Sequence, residues 1–151
     1  MMKVGKIVGH QKTIYSTHPE NSICEAATLM ADKRIGALIV LDDDQDIAGI
    51  ITERDILRKC AGMNDDDDAR CALVKDVMTP KTRLITAHKD HDLRSVMSTM
   101  TENNIRHIPI LDHDELIGLI SIRDVVRILL EHAEFQNKLI TEYMDSTGRY
   151  L

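Results

Sequence analysis

The chain has 151 residues, 43% hydrophobic and 29% charged, a balance that permits a packed core and excludes wholesale disorder. With 25 acidic against 19 basic residues, net charge −6, 3% aromatics and no Trp, it lacks the basic footprint and stacking surface of a nucleic-acid binder. No apolar run reaches the ~18 residues of a membrane span, and the N-terminus has no signal-peptide core. Cys24, Cys60 and Cys71 are odd in number and lack C-x-x-C spacing, which points to free thiols and a cytoplasmic setting. A Cys60–Cys71 disulfide is the one pairing that their place beside a linker leaves open.

Residues 4–8 read as a short strand or turn-like lead-in, and residues 14–17 as a brief strand. His18-Pro19-Glu20-Asn21 is a turn, because Pro fixes φ and Asn tolerates turn geometry. Ser22-Ile23-Cys24-Glu25 is a capping box. It opens a helix whose Ile23, Ala26, Ala27 and Met30 share one stripe and whose last turn carries Lys33 and Arg34, matched to the negative end of the dipole. Residues 35–41 are nearly all apolar and read as a buried strand. An acidic turn over residues 42–46 leads to a strand at 47–51. Thr52 then starts a helix with Ile56 and Leu57 facing inward.

The second half repeats this order. Residues 74–78 form a lead-in, followed by Thr79-Pro80, and residues 84–87 a strand. Asp92 caps a helix bearing Leu93, Val96, Met97 and Met100. Residues 105–111 and 116–120 are strands, and Ser121 begins a helix running to about Met144. Val126, Leu129, Leu130, Ala133, Ile140 and Met144 give that helix an apolar face, suited to docking a second subunit or packing on the same chain. The four successive aspartates of residues 65–68 repel one another and mark an exposed connector. The expected division is a first repeat at 4–62, a connector at 63–73, a second repeat at 74–130 and a helical extension at 131–151.

The self-match is sharpest at Gly49-Ile50-Ile51-Thr52-Glu53-Arg54-Asp55, which returns as Gly118-Leu119-Ile120-Ser121-Ile122-Arg123-Asp124, an offset of 69 residues (118 − 49). A duplication this long is strong evidence of two like units. Each motif is complete as a capped helix start, with the hydroxyl as cap and the Asp in the first turn. Its doubling, with Arg in the same place, supports a further role. A strand ending at a helix N-terminus presents free N–H groups to an anion, the hydroxyl can donate to a phosphate, and the carboxylate suits the paired O–H donors of a ribose.

These motifs fit the pattern G-h-x-[ST]-x-x-D, and Ile105-Arg106-His107-Ile108-Pro109-Ile110 fits a strand of the R-H-h-P-h type. With Val77-Met78-Thr79-Pro80 as lead-in, the chain resembles a tandem pair of CBS domains, a Bateman module. The resemblance implies an α+β fold of the α/β type: two β-α-β-β-α repeats packed sheet to sheet about a pseudo-two-fold axis, with two clefts between them. It implies a stand-alone regulatory protein rather than an enzyme. The ligand would be an adenosine compound such as AMP, ADP, ATP, NAD or S-adenosylmethionine. By position, Asp55 and Asp124 would hold ribose, and Thr52, Ser121, Arg54 and Arg123 phosphate. Ser16, Thr86, Ile108 and Pro109 would line the purine end. The intact strand beside Ser121 and Asp124 favours that motif over the first, whose strand has Leu38-Ile39 in place of the h-P pair. A homodimer and an unidentified regulated protein are the expected partners, with no nucleic acid, membrane or catalytic cofactor.

Other patterns carry less. Asp42, Asp44, Asp46 and Glu53 mimic a calcium loop, but Ile47 stands where that loop requires Gly. His88 and His91 share a polar turn without an evident third ligand. A weak nucleotide hydrolase would need Glu53 or a distant His to activate water. A purely structural dimerisation module would need none of the motif residues.

Overall fold

The computed structural model describes residues 2–9, 13–64 and 72–147. The connector's residues 65–71, with Cys71, and residues 148–151 of the extension lie outside the described residues. The elements are α1 (Val4–Val8), β1 (Ser16–Thr17), α2 (Ile23–Lys33), β2 (Ala37–Leu41), β3 (Ile47–Thr52), α3 (Glu53–Ala61), α4 (Val74–Val77), β4 (Thr79–Pro80), a 3-10 turn (Lys81–Arg83), β5 (Ala87–His88), α5 (Leu93–Glu102), β6 (His107–Asp112), β7 (Glu115–Ser121) and α6 (Ile122–Thr147). The duplication is real in space: each half has a parallel strand pair, a helix, an antiparallel hairpin and a second helix.

Two sheets result. One runs β1-β2-β3-β4, the other β5-β6-β7. In each, the short first strand is parallel to the next (Ser16 beside Ile39, Ala87 beside Ile110), and the hairpin is antiparallel with one register shift. Strand alternation sorts the side chains into two layers. Leu38, Val40 and Ile51 face α2 in one core. Ile108, Ile110 and Ile120 face α5 and Val125 of α6 in another. Between the sheets Ala37, Ile39 and Ile50 pack with Ile14, Leu41, Ile47, Leu84, Leu116 and Leu119. This third core draws on both copies, so neither repeat buries its sheet alone.

The lead-in segments depart from the linear reading. Residues 4–8 are a helix rather than a strand, and the helix packs on the second copy: Val4 and Val8 are fully buried with Leu93, Met100 and Ile120. The Val4 and Gly5 amides donate to the His91 and Lys89 carbonyls at 2.9 and 2.8 Å. Conversely, Val74 of α4 is buried in the first copy's core, its amide donating to the Asn21 carbonyl at 2.8 Å. Each lead-in therefore completes the other repeat. Burying two Val side chains contributes up to about 3–6 kcal/mol, so this exchange ties the halves strongly.

Other boundaries are corrected too. The strands expected at 14–17 and 84–87 shrink to Ser16–Thr17 and Ala87–His88. Leu57, expected inward, is 68% exposed, while Ile56 on the neighbouring position packs on the first core. The capping boxes form as read: Ser22 accepts from the Glu25 amide, and the Ser22 amide donates to Glu25 Oε2 at 2.7 Å. Asp92 caps α5 by accepting from the Arg94 amide. Helix α6 extends to Thr147.

Candidate functional site

Both G-h-x-[ST]-x-x-D motifs build the same local structure. At Thr52 the amide and hydroxyl lie 2.8 and 3.0 Å from Asp55 Oδ2, and the Asp55 amide donates back to Thr52 Oγ1 at 3.3 Å. At Ser121 the corresponding distances are 2.9, 2.7 and 3.3 Å. A carboxylate only accepts, so the hydroxyl is the donor in each pair. The expectation that it donates to phosphate is therefore not met in this arrangement, because its proton is committed to Asp. The first-turn amides are partly committed as well: Glu53 and Ile122 donate to the Gly36 and Arg106 carbonyls at 3.0 and 2.8 Å. What each motif still offers is the second-position amide, at Arg54 or Arg123, which a helix leaves unpaired, and Oδ1 of the Asp. Those oxygens have Arg58 at 4.0 Å and Arg127 at 3.7 Å as their ion-pair neighbours.

Each motif faces a cleft whose opposite wall belongs to the other copy. The larger cleft, about 830 Å³, carries Ser121, Arg123 and Asp124 on one side. Its other side is Thr13, Ile14 and Tyr15 ahead of β1 and Ile35, Gly36 and Ala37 at β2, and Arg34, Glu53, Arg106 and His107 line it too. The smaller, about 130 Å³, carries Thr52, Arg54 and Asp55 against Leu84, Ile85, Ile105, Arg106 and His107. Small-molecule sites occupy roughly 300–1,000 Å³, so only the larger has room for a nucleotide as it stands.

Gly36-Ala37 and Arg106-His107 are equivalent positions, 70 residues apart (106 − 36). Arg106 and His107 line both clefts, whereas Gly36 and Ala37 line only the larger. A Cβ at Gly36 would stand 3.1 Å from Glu53 Oε1 and 3.3 Å from His107 Cε1, so those side-chain ends would have to give by a few tenths of an ångström. Arg106 reaches across to Glu53 Oε1 at 2.9 Å. Its Nε is buried without an acceptor among the described residues, a polar atom that an anionic ligand could satisfy. His107, half-buried beside Arg106, has its pKa pushed below 6.5 by burial and then by the guanidinium, against the opposing pull of Glu53 and Asp124. Burial and the guanidinium both favour its neutral form.

Of the expected site residues, the structure brings Ser121, Arg123 and Asp124 to one cleft and Thr52, Arg54 and Asp55 to the other. Ser16, Thr86, Ile108 and Pro109 line neither cleft. Ser16 and Thr86 are exposed, two residues beyond Ile14 and Leu84, the positions that do reach the clefts. Ile108 points into the helix-side core at 0% exposure. Pro109 is buried two residues past His107, so the larger cleft is that of Ser121 and Asp124 for a reason other than Pro109.

Arg34 and Arg106 were not legible as cleft residues. Arg34 had a sufficient explanation in the helix dipole, and its left-handed backbone (φ 55°), unfavourable for Arg, shows only in the structure. Among the described residues no group of three or more His, Cys, Asp and Glu could hold a metal ion. In the calcium-like loop, Asp42 Oδ1 instead accepts the Asp44 and Asp46 amides, both at 3.0 Å.

Two duplicated α+β units, joined by an inter-sheet core and enclosing paired clefts with a capped S/T-x-x-D helix start in each, define a tandem-repeat α+β fold. The CBS domain model matches residues 4–62 and again 74–131, and the chain belongs to the CBS-domain family as a tandem pair. It is 37% identical over 123 residues to the mitochondrial CBS domain-containing protein CBSX3 of Arabidopsis thaliana, covering 80% of this chain and 59% of that protein. The chain thus spans little more than half of that relative's length. A putative signal-transduction protein with CBS domains from Burkholderia ambifaria superposes with TM-score 0.77 at 36% identity, covering 86% of this chain and 95% of that one. The CBS domain pair of protein MJ0100, solved with 5′-methylthioadenosine and S-adenosyl-L-methionine, superposes with TM-score 0.74 at 26% identity, over 87% of this chain and 98% of that one.

Proposed function

We propose that this chain is a regulatory module that binds one adenosine-containing ligand, of the AMP, ADP, ATP, NAD or S-adenosylmethionine class, in the larger cleft. The observation that carries this reading is the cleft's composition: the doubled motif supplies Ser121, Arg123 and Asp124, and the other copy supplies the apolar wall of Ile14, Tyr15 and Ile35. Asp124 Oδ1 takes the ribose hydroxyls. The Arg123 amide, with the Arg34, Arg106 and Arg123 side chains, faces the phosphate. The wall around Ile14 and Tyr15 takes the purine. The Thr52, Arg54 and Asp55 motif is a second subsite, too small for a nucleotide at about 130 Å³. The adenosine ligands of the MJ0100 pair support the ligand class.

A ligand in this position touches both repeats, so it favours whichever relative placement closes the cleft. It acts on a partner only through that difference in affinity between placements. In this reading the module is not an enzyme. Glu53, the residue best placed to activate water, is held by Arg106. The module works as a homodimer with an unidentified regulated protein, and the free Cys24 and Cys60 suit a reducing compartment such as the cytoplasm. Among the described residues no helix is long and apolar enough to cross a membrane.

A thermal-shift panel tests the reading. A ligand at a hundred times its Kd adds about 2.7 kcal/mol, or roughly 5–10 °C for a domain of this size. The expected result is such a shift with at least one of AMP, ADP, ATP, NAD and S-adenosylmethionine. No shift with any of them at millimolar concentration overturns it.

A further inference from the structure

Helix α6 serves two purposes along its length. Its first turns are part of the second repeat: Val125 is fully buried, and Ile122, Ile128 and Leu129 pack on the same core. Beyond them the helix leaves the body, and every residue from 130 to 144 is exposed. A free helix of that length is marginal in water. This one nevertheless displays large apolar side chains, Leu130 at 54% and Ile140 at 57% among them.

The exposed residues are ordered. Val126, Leu130, Ala133, Asn137, Ile140 and Met144 follow one another at spacings of four, three, four, three and four. That is an unbroken heptad seam, with Leu130, Asn137 and Met144 at a and Val126, Ala133 and Ile140 at d. Asn137 is the single polar residue in the seam and sits near its centre. A lone Asn at a is satisfied by its own copy when two helices run parallel and in register, because a then faces a. In an antiparallel pair a faces d, and Asn137 would meet Ala133 or Ile140 instead. The flanking positions are compatible with self-pairing: Gln136 and Tyr143 at g, Glu134 and Thr141 at e, with no like charges opposed across the seam. Phe135 and Leu139 fall at f and c and take no part.

We propose that the projecting part of α6 pairs with the α6 of a second copy of this chain as a parallel two-stranded coiled coil, its register set by Asn137 against Asn137 of the other copy. This rests on the homodimer reading above and names its surface. It also places the contact on the helix that begins at the Ser121 cap of the larger cleft, so one element joins ligand site and partner.

The full chain, free of nucleotide, is tested by sedimentation equilibrium at tens of micromolar. The expected mass is twice 17.1 kDa, falling to 17.1 kDa for the Leu130→Asp/Ile140→Asp double variant with its circular dichroism otherwise native. In a chain with the native cysteines replaced by Ser, Asn137→Cys forms an inter-chain disulfide under mild oxidation at least tenfold faster than Lys138→Cys at b. A monomeric parent chain overturns the dimer reading and this proposal together. A dimer unmoved by the double substitution, or Lys138→Cys linking as fast as Asn137→Cys, overturns the seam alone. None of these outcomes bears on whether the cleft binds a nucleotide.

Discussion

The two motifs are structural twins with unequal clefts, so a pair of matched substitutions separates capping from binding. Asp55→Ala and Asp124→Ala each delete a carboxylate oxygen that accepts an amide and a hydroxyl at 2.7–3.0 Å. The surviving hydroxyl still accepts from the residue at 55 or 124, so part of each cap persists. The cost in stability is about 1 kcal/mol in both cases, slightly more at Asp55, whose side chain is the less exposed (14% against 33%). Binding separates them. Hydrogen bonds to a charged group contribute about 1.5–3 kcal/mol each. If both ribose hydroxyls reach Asp124, its loss costs about 3 kcal/mol or more, a factor on the order of 10² in Kd. Asp55 lies in the cleft too small for ligand, and its loss leaves Kd within about twofold. Urea unfolding of both variants measures the first quantity, and calorimetric titration with the tightest ligand from the panel measures the second. Equal weakening by both substitutions, or no weakening by Asp124→Ala, would refute the reasoning.

Three further predictions follow from particular residues. Arg106→Gly removes a side chain that lines both clefts; the Glu53 ion pair it breaks is surface-exposed and worth ~0–1 kcal/mol, so the protein stays folded and calorimetry should read weaker binding of a phosphate-bearing nucleotide in the larger cleft, whereas unchanged affinity would mean that Arg106 does not face the phosphate. His107, whose pKa the fold depresses, favours the folded state fully above pH 6.5 and does so less as pH falls below it, because the unfolded chain then binds the proton more readily. Urea unfolding from pH 7.5 down to 5.5 should show that loss, and His107→Gln should flatten it. Gly49 is fixed by close approach: a Cβ there would overlap the Thr79 carbonyl oxygen where β3 pairs with β4. Gly49→Ala should destabilise by about 1–3 kcal/mol in thermal or urea unfolding, and a neutral result would show that β4 can detach without cost.

Much of the fold was legible because duplication doubles every local signal. The capping boxes at Ser22 and Thr52, the apolar stripes of α2 and α5 and the hairpin strands all follow from short-range periodicity, and all formed. What escaped was long-range. Val4 and Val8 carry the same apolar pattern whichever core they enter, so nothing local records that they complete the second repeat while Val74 completes the first. The resemblance placed Ser16 and Thr86 at the purine end, but not that the clefts are reached two residues earlier, at Ile14 and Leu84. Leu57 belongs to an amphipathic helix whose inner face is narrower than its apolar residues implied. That Gly36 and Ala37 line only the larger cleft, while Arg106 and His107 line both, becomes readable only once each motif is known to face the opposite copy's strand.

The central claim is one adenosine ligand per chain, held in the cleft of Ser121 and Asp124. Native mass spectrometry of the protein titrated with the panel nucleotides counts this directly. The account predicts a single added nucleotide per chain for the parent protein, lost in Asp124→Ala and retained in Asp55→Ala. No adduct with any of the panel ligands, or an adduct that survives Asp124→Ala and vanishes in Asp55→Ala, would contradict it.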